Sequence, residues 1–140
     1  MIVISEFAAA DADAIDLQPM QAADRMAGAI YENGPGWTVR DGDGRILACL
    51  GFLLAGPSYR IAWAMLALGK RNALVPISRT IRRLLDGAGW NRVEMLTHAD
   101  FAEAARWAEL LGFELEGVKR KALPDGGDLL VWARIAKGEE

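Results

Sequence analysis

The sequence predicts an α+β domain in which helices flank a mixed, mostly antiparallel β-sheet. The 140-residue chain is 52% hydrophobic and 25% charged, which suits one globular domain with a substantial core. Three strand-like segments follow one another in the middle of the chain, and segments with helical and strand periodicity alternate after them. We therefore expect a single domain over residues 1–140.

The first quarter of the chain predicts one strand and two short helices. The segment MIVISEF has the composition of a strand, and an alanine- and aspartate-rich stretch follows it as far as Tyr31. Good helix formers, with Pro19 near a helix start, predict the two helices in this stretch. The Glu-Asn-Gly-Pro-Gly sequence at 32–36 ends them.

The middle of the chain predicts a meander of three antiparallel strands. Residues 37–41 alternate as in a strand, and Asp41-Gly-Asp-Gly is a hairpin signal because these residues tolerate positive φ. The partner strand is Arg45 to Leu54. A second turn at Ala55-Gly-Pro-Ser leads into the third strand, Tyr59 to Leu68.

An amphipathic helix is predicted from about Val75 to Asp86. Its apolar residues recur with the i, i+4, i+7, i+8 spacing of a buried helix face: Ile77, Ile81, Leu84 and Leu85. Its arginines fall on the other faces, where we expect them to be exposed: Arg79, Arg82 and Arg83.

A strand and a third helix follow this amphipathic helix. Residues 92–97 form the strand, which a right-handed crossover places parallel to the last strand of the meander. Asp100 with Glu103 predicts a capping box, and Gly112 stands where a helix C-terminus is expected. The helix between them directs apolar residues inward: Phe101, Ala104, Ala105, Ala108 and Leu111.

The chain closes with a predicted hairpin. Its strands are Phe113 to Lys121 and Leu129 to Ile135, and its turn is Pro124-Asp-Gly-Gly.

Charge is segregated along the sequence although the net charge is only −3. Residues 1–43 carry eight acids and two bases, whereas residues 44–85 carry seven bases and no acid. The bases that crowd around one loop and helix are Lys70, Arg71, Arg79, Arg82 and Arg83. Such a patch on an acidic protein favours a small anionic ligand with phosphates over long nucleic acid, although a solvated helix face would have the same composition.

Several classes of function are excluded by composition. The longest apolar runs, 46–54 and 61–68, are far shorter than the roughly 20 residues of a membrane-spanning helix. The amino terminus lacks a basic region and a cleavage site, so we expect a cytoplasmic protein. Cys49 and His98, the single cysteine and histidine, provide neither a disulfide nor a metal site. The single histidine has no serine and acid at the spacing of a known hydrolase family, which argues against a hydrolase triad.

The order of elements resembles that of the GCN5-related N-acetyltransferase (GNAT) superfamily over nearly the whole chain. The residues most similar to that family are Arg92-Val-Glu-Met-Leu-Thr and Ala104-Ala-Arg-Trp-Ala-Glu-Leu-Leu-Gly-Phe-Glu-Leu-Glu-Gly, which resemble its strand, its helix and the Leu-Gly-Phe ending of that helix. The Asp-Ala-Asp-Ala-Ile-Asp and Ala-Ala-Asp-Arg stretches are similar to GNAT-like proteins of tailed phages and prophages. The resemblance implies the GNAT acyl-CoA N-acyltransferase fold.

The resemblance also implies a cofactor site at the end of the fourth strand. In the family, the backbone of that strand pairs with the pantetheine arm of acetyl-CoA, and amides at the next helix hold the pyrophosphate. Here the implied residues are Leu66, Leu68, Gly69, Lys70, Arg71, Asn72 and Arg79. The chain departs from the family's glycine-rich pattern in this loop, and Pro76 removes one amide.

The family's proton donor, a tyrosine about four residues before the Gly-Phe pair, falls at Ala108, which has no proton to give. Two candidates for proton transfer remain in or after the predicted fifth strand, Glu94 and His98. They are four residues apart, which places them on one face of a strand. The ordinary pKa of histidine, about 6.5, suits a base near neutral pH.

Two functions are therefore open. The first is an acetyl-CoA-dependent N-acetyltransferase that acts on an amine of a small molecule or a protein. The second is a catalytically degenerate GNAT-fold module of phage or prophage origin that binds a partner or serves a structural role. A homodimer is expected through open sheet edges at residues 45–54 and 129–135.

Overall fold

The computed structural model describes residues 2–17, 31–67 and 74–136. Three helices lie in these ranges: α1 (Ala9–Ala14), α2 (Leu74–Ala88) and α3 (Ala102–Leu110). The same ranges contain seven strands: β1 (Val3–Glu6), β2 (Gly36–Arg40), β3 (Ile46–Gly56), β4 (Tyr59–Leu66), β5 (Arg92–His98), β6 (Glu114–Lys119) and β7 (Leu129–Ile135). The second helix predicted before Tyr31 falls largely outside the described residues.

The strands form one mixed sheet in the order β1-β2-β3-β4-β5-β7-β6, which confirms the predicted fold class. The outermost strands are β1 and β6. The two segments expected at open edges, 45–54 and 129–135, are β3 and β7, and each has a neighbouring strand on both sides. That prediction was wrong because strand order depends on pairing between distant segments, which local hydrophobicity does not encode.

The chain divides into two compact units, of which the first comprises residues 1–54 and 62–73. Its core contains α1 and the strands beneath it: Phe7, Ala12, Ile15, Leu17, Cys49, Met65 and Ala67. Cys49 is fully buried, as the sequence predicts, and desolvation raises the pKa of its thiol to about 11. The thiol is therefore protonated and packs as a small apolar group.

A carboxylate fastens α1 to β2 in this unit. The Asp11 carboxylate accepts hydrogen bonds from the Thr38 hydroxyl at 2.7 Å and from the Arg40 guanidinium at 2.7 Å. It also accepts one from the Ala8 backbone N–H at 3.2 Å, which satisfies an amide at the start of the helix. Burial opposes ionisation of Asp11, but these donors outweigh it and lower its pKa.

Two glycines make room for a tryptophan in the same unit. Gly36 pairs with Gly51 across β2 and β3, and the Trp63 ring lies against them. A Cβ at Gly51 would stand 2.9 Å from Trp63 Cζ2 and 2.6 Å from the Pro35 carbonyl oxygen. Phe7 contacts the same ring edge-on, with centroids 5.0 Å apart.

The second unit comprises residues 55–61 and 74–140, and it contains β5, β6, β7 and the two longer helices. Strand β5 alternates as the sequence predicts, with Val93, Met95 and Thr97 buried. The helices lie on that buried face, because Arg134 of β7 is on the same face as Val93 and bonds Asp86 of α2. The opposite face of β5 has no helix of this unit over it within the described residues.

Side chains join helices α2 and α3 through two hydrogen bonds. The Trp107 indole N–H donates to Ser78 Oγ at 2.7 Å, and Arg82 donates to the Leu110 carbonyl at 2.9 Å. The second bond satisfies a carbonyl at the C-terminus of α3.

The sequence predicts the C-terminus of α3 correctly but not its N-terminus. Gly112 ends the helix with φ of 92°, as predicted, and the bonds from Gly112 N to Glu109 O and from Phe113 N to Ala108 O form a Schellman motif. The capping box was wrong: Phe101 is the N-cap and makes no side-chain cap bond. The helix begins one residue later than the box requires, so Asp100 stands outside the N-cap position.

No helix in the described part of the chain is long and apolar enough to span a membrane.

Candidate functional site

The predicted proton-transfer residues lie on the face of β5 that α2 and α3 leave uncovered. Glu94 and His98 share that face with Arg92 and Leu96, as strand parity predicts. Four residues of strand separate their Cα atoms by about 13 Å. A single amine nitrogen therefore cannot hydrogen-bond to both side chains, and the two are alternative bases.

Glu94 belongs to a network of charged and aromatic side chains. Its Oε1 accepts from Arg92 Nη2 at 2.6 Å and from Arg92 Nε at 3.0 Å. The same guanidinium also donates to both carboxylate oxygens of Glu116 on β6, at 2.5 and 3.0 Å. The ring of Tyr59, at the start of β4, lies 5.8 Å from this guanidinium.

This network holds Glu94 as a carboxylate. The hydrogen bond from the Tyr59 hydroxyl lowers the pKa of Glu94 most, desolvation opposes it, and Arg92 lowers it further. The same bond raises the pKa of Tyr59, because losing the proton would remove it. A carboxylate stabilised in this way is a weak base, since an effective base has a pKa near the operating pH.

His98 occupies the last position of β5 and is half-buried. Its Cα partner is Leu129 at the start of β7, and Leu129 is also the partner of Lys119 at the end of β6. The His98 carbonyl accepts from Phe101 N at 3.0 Å, which turns the chain towards α3. The imidazole therefore stands where a strand ends beside a loop, a place from which side chains often carry function.

The arginines of α2 are exposed, as predicted, but they differ in their contacts. Arg82 is occupied by the carbonyl of Leu110. Arg79 and Arg83 are one helical turn apart, and within the described residues neither has an ion-pair partner. Two like charges at this spacing repel each other, so an anion bound near them would relieve a local cost.

The remaining implied cofactor residues lie at or beyond the end of β4. Leu66 is the last residue of that strand and is half-buried. An isolated bridge between Leu17 and Ala67 continues the backbone pairing for one residue. The others lie outside the described residues: Leu68, Gly69, Lys70, Arg71 and Asn72.

Helix α3 supplies no proton donor at the position of the family's tyrosine. Ala108 is completely buried, and the indole N–H of its neighbour Trp107 is bonded to Ser78. This end of α3 thus contributes packing.

Sequence reasoning missed three members of the Glu94 network: Tyr59, Arg92 and Glu116. Arg92 does carry a local signal, because a base and an acid two residues apart in a strand lie on one face and can form an ion pair with each other. Tyr59 and Glu116 carry no such signal, because they reach Glu94 and Arg92 only through folding.

No protein-family model matches this sequence, and no curated protein is significantly similar to it. Similarity appears at the level of solved structures. The chain superposes on the ribosomal-protein-S18-alanine N-acetyltransferase from Escherichia coli with a TM-score of 0.75 and 16% identity, over 100% of this chain and 97% of that one. The two amino-acid sequences thus differ at most positions, while the two backbones agree.

Two further solved structures give the same result. An IAA acetyltransferase from Bacillus cereus matches with a TM-score of 0.74 and 14% identity, over 97% of this chain and 100% of that one. The spermidine/spermine N-acetyltransferase from Vibrio cholerae matches with a TM-score of 0.69 and 13% identity, over 96% and 92% of the two chains. Because identities this low establish architecture alone, the conclusion is that this chain has the GNAT acetyltransferase fold.

Proposed function

We propose that this chain is an acetyl-CoA-dependent N-acetyltransferase that acts on an amine of a small molecule or a protein. The observation that carries the proposal is the pair of exposed arginines on α2, Arg79 and Arg83, in a chain that has this fold. Exposed guanidinium groups on the helix that follows β4 in the sequence suit the phosphates of a nucleotide-like co-substrate.

The proposed co-substrate site uses the residues implied by the family resemblance. Leu66 and Leu68 provide backbone groups for the pantetheine arm, and the loop that follows provides a turn and positive charge. Arg79 on α2 contributes a phosphate contact. The full set is Leu66, Leu68, Gly69, Lys70, Arg71, Asn72 and Arg79.

His98 is the proposed base. The acceptor nitrogen attacks the thioester carbonyl of acetyl-CoA, a C–N bond forms, the C–S bond breaks, and the thiolate of CoA leaves. The acceptor loses one proton to the imidazole and the thiolate gains one from solvent, since Ala108 provides none. Glu94 is the second candidate, but its hydrogen bonds to Tyr59 and Arg92 stabilise the unprotonated form and weaken it as a base.

The alternative is a GNAT-fold module that binds a partner and has lost catalysis. The observation that favours it is on α3, where Ala108 is buried and the Trp107 N–H is bonded to Ser78. An enzyme that keeps this arrangement needs its acid from another element or from water.

Calorimetric titration with acetyl-CoA and with CoA separates these functions. We expect a dissociation constant in the micromolar range, about −8 kcal/mol, that weakens at least about tenfold in the Arg71→Ala, Arg79→Ala double variant. Arg120→Ala removes an exposed charge in the β6–β7 turn and is the matched control, which should bind as the wild type does. Absence of binding at millimolar acetyl-CoA would overturn the proposal of an enzyme and favour the partner-binding module.

An acceptor screen that follows release of the CoA thiol then tests the base. With an acceptor in hand, we expect His98→Gln to lower kcat by about 10²-fold and to leave the KM for acetyl-CoA unchanged. Glu94→Gln should retain most of the activity. The opposite pattern, with Glu94→Gln inactive and His98→Gln active, would transfer the role of base to Glu94.

A further inference from the structure

Strand β6 carries a sequence that is complementary to itself when reversed. It reads Glu-Leu-Glu-Gly-Val-Lys from Glu114 to Lys119. An acid at one end matches a base at the other, and the apolar residues Leu115 and Val118 match each other one position further in. This symmetry concerns a surface, and it does not depend on the proposed activity.

A bulge gives the two halves of the strand the same geometry. Pairing with β7 shifts between Leu115 and Gly117, so Glu116 is an extra residue in the ladder. As a result Glu114 and Lys119, opposite Ala133 and Leu129, lie on one face of the sheet. Leu115 and Val118, opposite Trp132 and Leu130, lie together on the other face. Without the extra residue each pair would be split between the two faces.

The outer side of β6 is available for contact. Within the part of the chain that the structure describes, β6 is the last strand of the sheet and pairs with β7 on one side only. Leu115 is 55% exposed and Val118 52% exposed, an unusual pair of large apolar side chains on a short edge strand. Among the described residues, neither Glu114 nor Lys119 has an ion-pair partner, whereas Glu116 is held by Arg92.

We propose that β6 pairs antiparallel with β6 of a second copy of this chain, about a two-fold axis at Glu116 and Gly117. Glu114 then faces the partner's Lys119, and Leu115 faces the partner's Val118. Because the contact is isologous, each of these pairs occurs twice. This pairing gives hydrogen-bond partners to the exposed edges of both sheets and covers the apolar side chains on both copies.

The opposite edge of the sheet does not have this complementarity. Strand β1 reads Val-Ile-Ser-Glu, and it contains an acid with no base to match it when the strand is reversed. The pattern therefore selects β6 as the contact between copies.

Sedimentation equilibrium of the full chain tests the proposal through charge reversal. We expect the wild type to be dimeric, and we expect Glu114→Lys and Lys119→Glu each to raise the dimer dissociation constant about tenfold or more, because two attractive pairs become repulsive. An equimolar mixture of the two variants should recover wild-type affinity, since every facing pair is again opposite in charge. Arg120→Glu makes the same charge change beyond the strand and should dimerise normally.

Three outcomes would overturn the proposal: a monomeric wild type at high concentration, charge variants that dimerise as the wild type does, or a mixture that fails to restore the dimer. Should a variant fail to fold by circular dichroism, hydrogen exchange on the wild type decides. The amides of residues 114–119 must become more protected as concentration rises, and unchanged protection contradicts the pairing.

Discussion

Among the described residues, two networks that combine an arginine, a carboxylate and a hydroxyl join different elements, and they differ in how much solvent reaches them. In the first unit, Asp11 is 14% exposed and its partner Arg40 30%. In the second, the Arg92 guanidinium is 28% exposed, with Glu94 at 21% and Glu116 at 48%. Both networks also include a hydroxyl, from Thr38 in one and Tyr59 in the other.

The two networks therefore have different roles in the protein. Asp11 joins a helix to a strand, and its donors include a completely buried threonine that has few alternative partners. Arg92 instead spans carboxylates on a sheet face, where water can replace any one of them. We therefore expect the first network to stabilise the fold and the second chiefly to fix the charge and orientation of Glu94.

The largest effect is expected at Asp11. Asp11→Ala leaves Thr38 and Arg40 without their acceptor and removes the bond to the Ala8 amide, so it should cost about 2 kcal/mol of unfolding free energy. Urea denaturation measures it. Asp16→Ala, which removes an exposed carboxylate shortly after α1, is the control and should be nearly neutral. A similar loss in both variants would show that the network contributes nothing specific.

The acid dependence of stability should follow from the same carboxylate. The folded chain lowers the pKa of Asp11 below its ordinary 3.8, so its contribution is present above that value and is lost as pH falls below it. The Asp11→Asn variant should therefore lose less stability than the wild type between about pH 5 and pH 2. Parallel curves of unfolding free energy against pH would contradict this assignment.

The smallest effect is expected in the second network. Glu94→Gln should cost at most about 1 kcal/mol, because the pair with Arg92 is partly solvated. The cost should fall further at about 1 M salt, where charges are screened over roughly 3 Å. A loss as large as that of Asp11→Ala, insensitive to salt, would erase the distinction between the networks.

Elements with local signals could be predicted from sequence. The sequence predicts the strand Leu129–Ile135 with the bounds that the structure has, because apolar and β-branched residues follow a clear turn. It also predicts Gly112 at the end of α3, since a residue tolerant of positive φ suits that position. It does not predict the start of α3, because Asp100 and Glu103 have the spacing of a capping box while the helix begins after Phe101.

Features that depend on pairing between distant segments could not be predicted. The sequence places Glu94 and His98 on one face of β5, but it does not indicate that Glu94 is held by Tyr59 and Arg92. Nor does it indicate that β6, rather than β3 or β7, is an outer strand. Each of these facts requires contacts between segments that are remote in the chain, and those contacts exist only after folding.

The glycine pair beneath Trp63 limits how this chain can evolve. A side chain at Gly51 would collide with the Trp63 indole and with the backbone, so the residues tolerated at position 51 depend on the residue at position 63. Truncating the ring removes one obstacle but leaves the Pro35 carbonyl in place. A single substitution at Trp63 is therefore compatible with the fold, although it reduces core packing. A side chain at Gly51 fits only if the neighbouring backbone also moves.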